Sequence, residues 1–67
     1  MIEYKHHKET EFTNEYTDII LNGVTIGNYM LSSDKLTVFV EINGEEYQDD
    51  YKSEDDLRTN IKYFLEL

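Results

Sequence analysis

The stretch Leu36-Thr37-Val38-Phe39-Val40-Glu41-Ile42-Asn43-Gly44-Glu45-Glu46-Tyr47-Gln48-Asp49-Asp50-Tyr51 decides the fold. Leu36, Val38, Val40 and Ile42 alternate with Thr37, Phe39 and Glu41, the period of a strand with one buried face. Asn43-Gly44 follows at once. An Asn-Gly pair between two extended runs is the strongest short hairpin signal, because both turn positions need positive φ. A two-residue turn sets Tyr47 opposite Val40 on the buried side and Glu46 beside Glu41 on the solvent side.

Toward the N-terminus a second Asn-Gly, Asn22-Gly23, separates two further runs. Phe12, Tyr16 and Ile19 are spaced as on a helix that Asn22-Gly23 would cap. The β-branched Thr17, Ile19 and Ile20 favour a strand over Glu15 to Leu21, paired with Val24 to Leu31. The turn then pairs Leu21 with Val24 and Ile19 with Ile26, and unbroken alternation adds Met30 to their buried face. Tyr16 and Tyr29 become neighbours on the other face. Ile2, Tyr4 and His6 alternate with Glu3, Lys5 and His7, which suits a short edge strand. Ile20, Leu31 and Phe39 fall opposite the core face. They need cover from the first strand and the segment around Phe12, or from a second subunit or a partner.

Toward the C-terminus, Ser53 precedes Glu54, Asp55 and Asp56: a hydroxyl N-cap, an acid three residues on, and negative charge at the positive end of the helix dipole. Leu57, Ile61, Phe64 and Leu65 form one apolar stripe, so the helix is expected to run to the chain end. The fold class is α+β: an antiparallel β-meander of three to five strands with one C-terminal helix packed on one face. The 67 residues are read as a single domain.

With 15 Asp and Glu against six Lys and Arg, the net charge of −9 disfavours nucleic acid and anionic membranes as direct ligands and favours basic protein surfaces. There is no cysteine, hence no disulfide and no thiol chemistry, which suits a reducing compartment. The longest apolar run, Val38-Phe39-Val40, is far too short to span a membrane, and Met1 to Lys8 lacks the apolar centre of a signal peptide. A cytoplasmic location is expected. Six Tyr and three Phe with regular alternation set the chain apart from acidic disordered sequences.

Between residues 41 and 56, Glu41, Glu45, Glu46, Asp49, Asp50, Glu54, Asp55 and Asp56 are opposed by Lys52 alone. Alternate strand residues stand about 6.6 to 6.8 Å apart, so Glu46, Gln48 and Asp50 present groups at a spacing similar to that of a nucleic-acid backbone. Tyr51 and Tyr63 flank the acids, the composition of an interface hot spot. The bland alternative is a solvated hairpin and helix cap that confer solubility. His6 and His7, being adjacent on a strand, point to opposite faces and do not chelate one metal together. The Asp-rich turn lacks the Gly that a calcium loop needs at its sixth position. No phosphate loop, dinucleotide motif or nucleophile with a base is present, so no enzyme, cofactor or metal is expected.

The stretch Glu46-Tyr47-Gln48-Asp49-Asp50-Tyr51-Lys52-Ser53-Glu54-Asp55-Asp56-Leu57, with the chain's size and charge, resembles the small acidic inhibitors encoded by phages, among them nucleic-acid-mimicking anti-CRISPR proteins. The resemblance implies a mode of action, occupation of a nuclease's DNA-binding groove, and no common fold. The expected partner is a basic surface on a nucleic-acid-binding protein, met by Glu41, Glu45, Glu46, Asp49, Asp50, Glu54, Asp55 and Asp56 for steering and by Tyr51 and Tyr63 as anchors. The alternative is a structural module that forms a homodimer or other symmetric oligomer through Tyr16, Ile20, Tyr29, Leu31 and Phe39.

Overall fold

The computed structural model describes residues 1–66. Strands β1 (Ile2–His7), β2 (Tyr16–Leu21), β3 (Val24–Leu31), β4 (Thr37–Ile42) and β5 (Glu45–Asp50) precede one helix, α1 (Glu54–Phe64). The strands form one antiparallel sheet in the order β1-β2-β3-β4-β5. This is the expected α+β meander with a C-terminal helix. Both Asn-Gly pairs turn as the sequence requires, with φ of 51° and 81° at Asn22-Gly23 and 52° and 84° at Asn43-Gly44. Residues 16–21 are strand and not helix, and Phe12 lies in the preceding loop, 87% exposed, covering nothing.

Helix α1 lies on one face of the sheet, where Leu57 and Ile61 close over Ile19, Tyr29, Val38, Val40 and Ile42. The Ser53 hydroxyl accepts from the Asp56 N–H at 3.1 Å, the expected N-cap. The helix stops at Phe64 and not at the chain end. Leu65 N–H still donates to Ile61 O, but Glu66 takes φ of 59°, which no longer continues a right-handed helix. Leu36, expected in the core, is exposed in the turn before β4, where its N–H donates to Asp34 Oδ1 at 3.0 Å.

The largest departure from simple alternation lies in β3. Ile19 pairs with Gly27 and Ile20 with Thr25, so one step along β2 matches two along β3 and Ile26 is the extra residue of a β-bulge. The expected Leu21–Val24 pair forms, whereas the expected Ile19–Ile26 pair does not. A one-residue offset exchanges the faces of every residue beyond it. Tyr29 therefore enters the core opposite Val40, and Leu31 packs against the core opposite Val38. Met30, predicted inside, pairs with Phe39 on the far face. Gly27 serves this geometry, since a Cβ built there would overlap the backbone carbonyl of Glu41.

Candidate partner-binding surface

The acids of residues 41–56 occupy three settings. Glu41 and Glu46 are direct cross-strand partners. Because Val40 and Ile42 on either side of Glu41 point into the core, this pair stands on the sheet face away from α1. Gln48, opposite Phe39, and Asp50, opposite Thr37, continue the same face along β5. Glu45 and Asp49 share the helix-side face of β5 with Tyr47, whose ring stacks on Phe64 at 5.4 Å. The third setting is the first turn of α1, which holds Glu54, Asp55 and Asp56.

Glu54 is engaged in holding the helix to the sheet. The Tyr29 hydroxyl donates to its Oε2 at 2.8 Å, and Arg58 Nε lies 3.7 Å from the same oxygen. The Arg58 guanidinium in turn sits 4.3 Å above the Tyr4 ring, which meets Tyr29 edge-on. Burial raises the Tyr29 hydroxyl above its ordinary value, and its bond to the Glu54 carboxylate adds to the shift. Burial likewise raises Tyr4 and Tyr47, with the nearby Asp49 charge adding to the effect at Tyr47.

The two expected anchors separate. Tyr51 is half-buried against the core, with its hydroxyl pushed up first by burial and then by the Glu54 charge. Tyr63 stands 80% exposed on the helix. The structure thus brings Glu41, Glu46 and Asp50 onto one face, sets Glu45 and Asp49 on the other face of the same strand, and ties Glu54 and Tyr51 to the framework.

Between the acids of the open face lies a groove of about 390 Å³ lined by Asn28, Met30, Phe39, Glu41, Glu46 and Gln48. Phe39 remains 40% exposed and no other segment covers it among the described residues. Asn28 and Met30 were not legible as part of this surface, because the bulge that turns them outward is signalled only by the isolated Gly27. At the opposite edge of the sheet, His7 stacks on Tyr16 at 4.6 Å and approaches Asp18 Oδ2 at 2.8 Å. His6 Nδ1 lies 3.3 Å from Thr17 Oγ1 on the other face.

No family model, curated protein or solved structure matches the chain. No described helix is long and apolar enough to cross a membrane.

Proposed function

We propose that the chain is an acidic protein-binding module that occupies a Lys/Arg-lined, nucleic-acid-binding groove on another protein and excludes DNA or RNA from it, in the manner of a phage-encoded inhibitor. The reading is carried by the Glu41–Glu46 pair. Two like charges set directly across a strand pair cost stability, and Glu41 is half-buried beside a groove of mixed polar and apolar lining that the helix leaves uncovered. A cationic partner removes the repulsion on binding, so the unfavourable term in the free protein becomes a favourable one in the complex. Met30 and Phe39 supply apolar contact between the charges. The module acts by occupancy and not by catalysis.

The test is capture from a cell lysate by immobilised wild type and by a variant with Glu45, Glu46, Asp49 and Asp50 changed to Gln or Asn. Wild type alone retains a nucleic-acid-handling protein, releases it as salt screens the exposed charges, and displaces labelled DNA or RNA from it. Equal capture by the variant, or an affinity flat from low to high salt, overturns the reading.

The exposed Phe39, with the half-buried Met30 opposite it, favours one rival, self-association through the open face. A wild-type dimer that Phe39→Ser dissociates would establish it. A monomer mass common to both proteins removes it.

A further inference from the structure

Strand β5 forms one end of the sheet and, among the described residues, no loop or helix pairs with its outer edge. The direction of its backbone groups follows from the register. Tyr51 N–H donates to Leu36 O, so residues 36 and 51 are a hydrogen-bonded pair. Bonded pairs alternate along an antiparallel ladder, which assigns Val38–Asp49, Val40–Tyr47 and Ile42–Glu45 to the bonds with β4. The N–H and C=O groups of Glu46, Gln48 and Asp50 therefore point away from the sheet. The Asp50 N–H is taken by Asp49 Oδ1 at 2.8 Å, which leaves the Glu46 and Gln48 donors open.

Side chains on this edge follow the order acid, acid, Tyr, Gln, acid, acid over Glu45–Asp50. Each sheet face thus shows two acids separated by one uncharged residue: Glu45, Tyr47 and Asp49 on the helix side, Glu46, Gln48 and Asp50 on the open side. Charges on an edge strand normally block pairing. Here they block it for acidic and apolar strands and reward it for a basic one, since opposite charges directly across a strand pair stabilise it.

Building on the basic-partner reading above, the geometry points to a mode of engagement: an extended segment of the partner adds to β5 as a sixth strand. That segment carries two pairs of Lys or Arg separated by two uncharged residues, so that the basic pairs meet Glu45-Glu46 and Asp49-Asp50 while the middle residues lie beside Tyr47 and Gln48. The charge pattern of β5 is the same read from either end, so it accepts the basic pairs of the segment in either direction. A second copy of this chain offers the β1 edge with Lys5, but two molecules of net charge −9 repel one another, which favours a foreign segment.

The experiment uses the full chain and synthetic peptides built on Lys-Lys-Val-Thr-Lys-Lys, unmodified or backbone N-methylated at alternate residues in each of the two possible frames. Binding is read by calorimetry at low salt and by amide exchange. The unmodified peptide should bind and slow exchange of the Glu46 and Gln48 amides. Methylation in the frame that faces β5 should weaken binding by about tenfold or more, and methylation in the other frame should leave it nearly unchanged. If both methylated peptides bind as tightly as the parent, strand addition is overturned while the basic-partner reading stands. No binding of the parent peptide also overturns strand addition, and lysate capture then decides the basic-partner reading separately. Slow exchange of the Glu46 and Gln48 amides in a dimer of the protein alone overturns the foreign segment in favour of a second copy.

Discussion

The Tyr29 hydroxyl donates to the Glu54 carboxylate at 2.8 Å, joining the middle strand of the sheet to the first turn of the helix. This bond engages one oxygen of the Glu54 carboxylate, whose side chain remains half exposed. Tyr29→Phe and Glu54→Gln are each expected to lower unfolding free energy by about 1 kcal/mol, since a charge-assisted bond at a half-exposed carboxylate is partly screened. Chemical denaturation measures the loss. Glu54→Gln should leave affinity for a basic partner within about twofold, because a 0.4 kcal/mol change is already about that factor.

The Glu41–Glu46 pair predicts the opposite balance. Glu41→Gln or Glu46→Gln should raise stability by about 0.2 to 1 kcal/mol by relieving cross-strand repulsion, and should weaken binding to the basic partner. Denaturation and binding isotherms on the same variants test both halves. A variant that loses stability and keeps its affinity would remove the pair from the site.

Gly27 is predicted to be the least replaceable position of the sheet. Gly27→Ala forces a methyl group against the Glu41 carbonyl, and β3 must either leave β4 or lose the bulge. The expected cost is about 3 kcal/mol, the upper range for overpacking, because the obstructing atom is backbone and has little room to shift. The Asn28, Met30 and Tyr29 amide signals should move with it. Ile61→Ala, which opens a void in the core without touching the sheet register, should cost a similar 2 to 5 kcal/mol while leaving the pairing of β3 unchanged. Amide chemical shifts across β3 tell the two apart.

Alkaline pH should lower the stability of the fold. Burial raises Tyr4, Tyr29 and Tyr47 above the ordinary value of 10.0. The folded state then holds protons that the unfolded state has released, so stability is intact below pH 10.0 and falls as pH rises through the raised values. Tyrosinate absorbance should rise at higher pH in the folded protein than in the denatured one. Tyr29→Phe should remove one of the late-titrating groups.

Much of the architecture was readable because its determinants are local. Both Asn-Gly turns set their hairpins through the positive φ they permit, Ser53 with the following acids marks the helix start, and the alternation of Val38, Val40 and Ile42 names the buried side of β4. The cross-strand contact of Glu41 with Glu46 follows from turn length alone. The helix C-terminus was not readable in this way, because Phe64 and Leu65 keep the apolar spacing past the point where the backbone at Glu66 changes hand.

The sequence by itself determined the element order, the two hairpin registers nearest their turns, the excess of negative charge and its concentration around β5. Those features depend on residues close together in the chain or on composition. Only the tertiary structure decided which aromatic side chains lie inside and which acids remain free. The Ile26 bulge exchanges Tyr29 and Met30 between faces, and beside it β4 approaches Gly27 closely, a contact across strands. Tyr29, once inside, reaches Glu54 and gives one of the acids expected at the partner surface a second role, a bond between sheet and helix. Long-range packing chooses among faces that local periodicity leaves equivalent, because a shift of one residue reverses every side chain beyond it.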